Sequence, residues 1–474
     1  MRVKMILPAL TEATSPYWRS IKYALFPPLG LATLAGYLRD DDEVTIHDEH
    51  TAALTLDDAP DLVVIQVYIT SAYRAYEIAD HYRQRGSYVV LGGLHVTALP
   101  EEARQHADTI CLGPGEDTWP AFLADFRAKC PQAVYRSTVR TLCGQPLPRR
   151  ELIQRQCYLV PNALVVSRGC PHACDFCYKT SFFQGGKSFY TMAVDDALAE
   201  IERLPERQLF FLDDHLFGNR NFASALFDGM RGMGRVWQAA GTVQSVLDPE
   251  LLEKAVACGL RSLFVGFETL NAANLSTHHK NHNLHADYAA AVRRLHDHGV
   301  MVNGSFVFGM DDDGPDAPAR TVAWAVAQGI ETATFHILTP YPGTALYRQM
   351  ESEKRLTDHD WQRYDTRHVV FRPARMTAEE LEAGYWQAYR DFYSWGSILH
   401  SAWSKDDAAE RLRHLAYTVA WKKCEPLWDL LIRAGWVGTM APLMERVLSG
   451  KAASPSPKVT AKRPMSRDIV MHKA

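Results

Sequence analysis

The sequence has no stretch of roughly 18 consecutive apolar residues, so nothing in it reads as a membrane-spanning helix. It has no basic excess either: 51 Lys and Arg against 55 Asp and Glu give a formal net charge of -4, without the positive field that nucleic-acid phosphates require. Nucleic acid is excluded as a partner on that ground. The opening Met1-Arg2-Val3-Lys4-Met5-Ile6-Leu7 is too short for a signal-peptide core and reads as a first strand. A dense disulfide framework is also missing. Nine cysteines, an odd number spread over 474 residues, predict reduced thiols and a cytoplasmic protein. With 47% hydrophobic and 22% charged residues the composition is that of a globular chain, and the length implies several domains.

What is present is strand and helix in alternation, an α/β pattern. Residues 1–130 read as a Rossmann-like parallel sheet, with strands at Val3–Leu7, Glu43–His47, Leu62–Val67, Tyr88–Leu91 and Thr109–Leu112. Ligands of such sheets lie beyond the carboxyl ends of the strands. Those ends carry Thr70-Ser71, Gly92-Gly93-Leu94-His95 and Gly113-Pro114-Gly115-Glu116. Residues 131–160, polar and proline-punctuated, read as a linker. A second series occupies 161–345, with strands at 163–167, 208–213, 239–246, 262–268, 300–309 and 331–338, the pattern of a partial (β/α)6 barrel. Residues 346–448 read as a helical C-terminal domain rich in aromatics, and 449–474 as a disordered basic tail, since 451–474 has six Lys or Arg against one acid. Trp428, Leu431, Trp436, Met440, Leu443 and Val447 are spaced for helices that pack into a core, with a lipid-facing role as the alternative.

Cys170-Pro171-His172-Ala173-Cys174-Asp175-Phe176-Cys177 sets three thiols within eight residues, directly after the first barrel strand. Four thiolates saturate a [4Fe-4S] cluster, so three leave one iron open. An open position marks a catalytic rather than a structural metal site. The alternative is zinc with His172 as fourth ligand. The C-x3-C-x2-C spacing, with an aromatic before the last cysteine, resembles the signature of the radical S-adenosylmethionine (SAM) superfamily. The resemblance implies that the open iron chelates SAM and that an electron from the cluster releases a 5′-deoxyadenosyl radical. It further implies SAM contacts at Phe176, at Asp213 or Asp214 in place of a glycine-glycine-glutamate motif, at Glu268, and at Ser305 and Phe308. Gln244 closes the third strand and is expected to face the cavity. Tyr341, His215 and His336 sit near strand ends, where a structural role is the better reading.

A Rossmann-like sheet ahead of such a barrel is similar to the cobalamin-binding branch of the superfamily. Pro27-Pro28-Leu29-Gly30-Leu31, Asp48-Glu49, Gly92–Thr97 and Gly113–Glu116 resemble stretches of that branch, in order. This implies cobalamin held along Thr70, Ser71, Gly92, Gly93, His95, Gly113, Gly115 and Glu116. Asp48-Glu49-His50 resembles the D-x-H-x-x-G motif of cobalt-ligating proteins, but Ala53 replaces its glycine and the triplet follows the second strand, not the first, so His50 is not expected to bind cobalt. The implied function is methyl transfer to a carbon of a small-molecule or lipid substrate, with a reducing electron donor. A cobalamin-dependent cyclase or ring-rearranging enzyme, and a non-enzymatic electron carrier or sensor, are the alternatives.

Overall fold

In the computed structural model, which describes residues 1–14 and 21–449, the two alternating series fold as two parallel six-stranded sheets followed by helices. The basic tail lies outside the described residues. The first sheet comprises β1 (Arg2–Leu7), β2 (Glu43–Asp48), β3 (Leu62–Gln66), β4 (Tyr88–Gly92), β5 (Thr109–Leu112) and β6 (Val134–Arg136), in the order β2-β1-β3-β4-β5-β6. The strand β6 falls in the stretch read as linker. It is three residues long, too short to carry a periodic signal, yet it pairs with β5 from Ile110 to Leu112.

Alternation along these strands feeds two cores, as a sheet covered on both faces requires. Ile6, Val63, Ile65, Val89 and Leu91 pack under helix Ala72–Gln84. Val3, Met5, Val64 and Val90 pack against Leu31, Trp119 and Phe122 of helices Leu29–Ala35 and Gly115–Arg127. The strand order reverses between β1 and β3, and a crevice opens at such a switch point, beyond the carboxyl ends.

The chain then runs through β7 (Ala163–Leu164) and an antiparallel pair, β8 (Ser167–Gly169) with β9 (Phe189–Thr191). The second sheet continues with β10 (Gln208–Phe211), β11 (Val236–Gly241), β12 (Leu260–Glu268), β13 (Met301–Phe308) and β14 (Thr332–Ile337), in the order β14-β13-β12-β11-β10-β7. Six parallel strands make an open barrel. The third one corrects the sequence reading. It ends at Gly241, because Thr242 caps a short helix, Val243–Leu247, by accepting from the Ser245 amide. The apolar run through Val246 carries both periodicities, and the cap decides between them.

The open barrel leaves β14 as an edge, and exposed edges invite mispairing. Here two phenols cover it. The Tyr393 hydroxyl accepts from the Ala333 amide at 3.1 Å and donates to its carbonyl at 2.9 Å; Tyr389 does the same for Phe335 at 3.1 and 3.2 Å. Tyr389 closes helix Ala378–Phe392 and Tyr393 follows it, so a four-residue helical step matches a two-residue strand step. Tyr393→Phe strands a buried amide and a buried carbonyl. We expect it to cost about 1–3 kcal/mol, read as a lowered urea midpoint, with SAM cleavage preserved below the transition.

Of the residues read as core, Trp428 is buried against Ile21, Leu159 and Val160 and Leu431, Met440 and Val447 are partly buried beside it, whereas Trp436 and Leu443 are exposed, which corrects the reading for those two; Ile432, Val437, Met444 and Leu448 complete the core. Leu430 on the same segment is exposed too.

Candidate cofactor site

The cysteine loop leaves β8 through Gly169, whose φ is +79° and where a Cβ would lie 1.9 Å from the Ser188 carbonyl oxygen. Only glycine fits. The Cys170 amide then donates to Ser188 at 3.0 Å, and the Cys177 amide to Cys174 at 3.1 Å, curling the loop. Cys174 is buried; Cys170 and Cys177 are half-buried. Burial pushes the Cys174 thiol up to about 12 against the opposing pull of Lys280, and burial also raises Cys177. Thiols held neutral by burial ionise when a metal supplies the compensating charge. Among the described residues no three His, Cys, Asp or Glu side chains converge on a point fit for one ion. A cubane suits the loop because it gives each cysteine its own iron.

The two aspartates after β10 divide as the sequence could not say. Asp213 turns into the core, accepting from the amides of Val166 and Ser167 and from the Ser167 hydroxyl. Burial raises its carboxyl to about 7, with the Ser167 and Val166 bonds opposing. It is a brace between β7, β8 and β10, which corrects the expectation that either acid serves. Asp214 faces the other way, accepting from the Gly169 amide at 2.9 Å and the Tyr178 hydroxyl at 3.3 Å, with Lys179 at 3.4 Å. It therefore ties both ends of the cysteine loop to the barrel.

Glu268 ends β12 at a bulge in the pairing with β13, at φ +65°, and its carboxylate is ion-paired with Lys280. A bulge re-aims a side chain. The alternation that sends Phe267, Phe306, Phe308 and Phe335 to the helical layer around Trp324 and Tyr389 leaves Gly266, Ser305 and His336 on the lumen face. Phe308 is thus a core residue, stacked on Phe335 at 5.5 Å, which corrects its reading as a SAM contact. Gln244 is exposed on the short helix after β11, displaced with the strand end. Phe176 meets the ring of His278 edge-on, and His278 pairs with Asp175 at 3.0 Å.

Sequence reasoning missed the partners that come from far along the chain. Lys280 and His282 lie between barrel elements with no local pattern. His172 stacks on His282 at 3.7 Å and on His215 at 5.5 Å. Burial first, and His172 second, push His215 and His282 down to about 3. The stacked rings wall one side of the loop. Tyr341 is half-buried, and desolvation raises its hydroxyl.

A cavity of about 1230 Å³ opens at the switch point of the first sheet. Leu7 and Leu10 at and after the end of β1, and Gln66 and Tyr68 at and after the end of β3, line it from one side, and Arg168, Tyr178 and Asp214, which flank the cysteine loop, from the other. It exceeds the roughly 300–1,000 Å³ of a drug-sized pocket, as a corrin requires. A narrower recess of about 150 Å³ shares Gly30, Gln66 and Arg168 with it and is walled by Gly92, Gly93, Gly113, Gly115 and Glu116. At Gly93, φ +118°, a Cβ would sit 2.8 Å from the Val67 carbonyl oxygen. Glu116 pairs with Arg168 at 2.8 Å, linking the recess to the cysteine loop.

Thr70, Ser71 and His95 correct the sequence reading. Thr70 and Ser71 are buried in the turn after β3, the Ser71 hydroxyl serving the Tyr68 backbone, while Tyr68 itself reaches the cavity. His95 turns into the core, 2.9 Å from Glu102, which also holds Trp361. His50 lines the cavity, but its Nδ1 is 2.7 Å from Asp48 and its Nε2 accepts from the Leu10 amide at 3.1 Å. Both ring nitrogens are thus engaged in hydrogen bonds.

A parallel sheet with a ligand crevice, facing a three-cysteine loop on an open barrel, defines an enzyme that brings a large cofactor and an iron-sulfur cluster to one space. The comparisons with known proteins say which. Residues 23–123 match the B12 binding domain family and residues 164–340 the Radical SAM superfamily. The bacteriochlorophyllide d C-12(1)-methyltransferase of Chlorobaculum tepidum is 30% identical over 391 residues, 79% of this chain and 84% of the relative. The hopanoid C-2 methylase of Rhodopseudomonas palustris is 26% identical over 381 residues, 76% of this chain and 72% of the relative. The structure of TsrM, a radical S-adenosylmethionine methyltransferase from Kitasatospora setae with cobalamin and a [4Fe-4S] cluster bound, superposes with a TM-score of 0.62 at 14% identity, over 92% of this chain and 98% of that one. This chain belongs to the cobalamin-dependent radical SAM enzymes of the methyltransferase kind. Its cofactors are a [4Fe-4S] cluster, SAM and cobalamin. No helix among the described residues is long and apolar enough to cross a membrane.

Proposed function

We infer that this enzyme transfers a methyl group to a carbon of an amphipathic small molecule or lipid. The observation that carries the reading is that one cavity is walled both by the switch point of the first sheet and by Arg168, Tyr178 and Asp214, which flank the cysteine loop. The bound cofactors supply the radical and the methyl group; the chain positions them and keeps out water. Cys170, Cys174 and Cys177 would hold the cluster. Asp214 and Lys179 fix the loop's angle to the barrel, and Glu268, held by Lys280, presents a lumen carboxylate suited to the SAM amino group. Ser305 lies on the same face of the adjacent strand. Gly92, Gly93, Gly113 and Gly115 support a corrin edge, since they let a bulky ligand reach the backbone. Nine unpaired cysteines support a reducing compartment, and we take the enzyme to be cytoplasmic, served by a low-potential electron donor.

The test is anaerobic reconstitution with iron, sulfide and hydroxocobalamin, then incubation with SAM, dithionite and a panel of bacteriochlorophyllides and hopanoids, the acceptor classes named for the relatives. We expect 5′-deoxyadenosine, S-adenosylhomocysteine and an acceptor heavier by one methylene. Acceptor conversion with 5′-deoxyadenosine but without S-adenosylhomocysteine would replace this reading with a rearrangement.

A further inference from the structure

The helix Trp395–Trp403 contains no Asp, Glu, Lys or Arg, although half of it faces outward. One side is spent on the fold: Ile398 and Ala402 are buried, and the Ser401 hydroxyl donates to the Val326 carbonyl at 3.2 Å. The other side carries Trp395, Leu399 and Trp403, spaced by four residues and therefore stacked along one face, where they are 56%, 44% and 60% exposed. A surface helix with one packed face ordinarily turns charged and polar side chains outward. This one turns out a second apolar stripe.

The stripe continues onto a neighbouring helix. Lys423 lies over the Trp395 ring at 5.5 Å, and just beyond it Leu427 and Leu430 are exposed on helix Glu425–Ala434, whose opposite side buries Trp428 and Ile432. Lys423 also lines a second cavity, about 550 Å³, which runs along β14 beside Tyr385, Trp386 and Tyr389 and meets the large cavity at Glu12 and Lys22. The exposed apolar surface thus adjoins a passage toward the cofactor space.

Charge says what the surface meets. Residues 386–449 carry eight Lys or Arg against seven acids and are close to neutral, but 451–474 follow with six against one, in a chain whose total is -4. Exposed tryptophan and leucine beside a block of positive charge suit the headgroup region of an anionic bilayer: the rings sit at the boundary, and each cation near the surface adds attraction. A second copy of the chain is the poorer match, because a twofold contact sets two such basic blocks side by side.

We propose that Trp395, Leu399 and Trp403, with Leu427 and Leu430, rest on the surface of an anionic lipid bilayer without crossing it. The docking stands independently of the methyl-transfer reading; taken with it, the second cavity is the route by which a membrane-dissolved acceptor reaches the cofactors.

The test is flotation of the full-length, reconstituted protein with vesicles of phosphatidylcholine alone or mixed with phosphatidylglycerol, together with quenching of tryptophan fluorescence by brominated acyl chains. We expect binding to the mixed vesicles about tenfold tighter than to phosphatidylcholine and weakened by salt, with quenching that reports rings inside the bilayer. The double variant Trp395→Ser, Trp403→Ser should bind about a hundredfold more weakly, roughly tenfold for each ring withdrawn from lipid, and lose most of the quenching. Neither ring lines the cavities described above, so an unchanged urea midpoint certifies the variant's fold. A wild type that does not float with the mixed vesicles, or that binds both vesicle types equally, overturns the proposal. So does binding that the double variant keeps, which assigns the attraction to the basic segment alone, and so does a dimer in light scattering that the double variant abolishes, which gives the surface to a second copy. SAM cleavage is measured in parallel: its failure in the wild type strikes the enzymatic reading, while the vesicle comparison still decides the docking.

Discussion

Cys174→Ala abolishes 5′-deoxyadenosine formation and lowers the iron retained after reconstitution. Cys174 is the most buried of the three loop thiols, and its removal leaves two cysteines for a cluster that needs three. Nothing nearby substitutes, because no other cysteine is in the loop and His172 is stacked on His282. Cys170→Ala and Cys177→Ala are expected to behave alike. Cys258→Ala is the control: that thiol is buried among barrel side chains, with burial raising it to about 12 and its Sγ donating to the Ala255 carbonyl, so its loss should leave the iron content unchanged. Iron and sulfide assays together with SAM cleavage check all four variants. A Cys174→Ala protein that still formed 5′-deoxyadenosine would remove the loop from the mechanism.

The second large effect is on stability, at the opposite end of the barrel. Glu331, immediately before β14, is buried and meets Lys405 at 2.7 Å, His296 at 3.3 Å and the Val302 amide at 2.8 Å. Burial alone would raise its carboxyl, but Lys405 and His296 outweigh burial and hold it well below the ordinary value of 4.5. Glu331→Gln leaves Lys405 buried without its counter-charge, and breaking such a pair costs about 3–5 kcal/mol. An acid held below its ordinary range contributes stability in full above that range and loses it as pH falls through and below about 4.5. The gap in urea midpoint between wild type and Glu331→Gln should therefore be wide at neutral pH and shrink below that value. Because the strand amino ends are remote from the ligand face, SAM cleavage by the folded variant should be normal. A gap independent of pH would show that the carboxylate's charge is not what matters.

Much of this was legible in the chain because the informative features are local. Three cysteines in eight residues need no long-range information, and neither do the glycines at the ends of β4 and β5, whose lack of side chains predicts a ligand edge. The failures share a physical cause. Asp213 and Asp214 are adjacent, and only the pairing of β10 with β7 decides that one braces Ser167 while the other reaches Tyr178. His95 follows a glycine pair that lines the recess, yet Glu102, one helix later, draws its ring into the core. Phe308 looked inward until the stack with Phe335 set the phase of β13. Lys280 and His282 meet the cysteine loop across about a hundred residues, a distance at which periodicity says nothing.

The phenols on β14 have a geometric consequence. In a barrel closed by strands, the bore follows from strand number and stagger and cannot be varied continuously. Here one side of the bore is a helix hung on the edge strand by two hydroxyls, and the same helix supplies Tyr385, Trp386 and Tyr389 to the second cavity. The width available beside β14 is thus set by how one helix is hung, not by strand arithmetic.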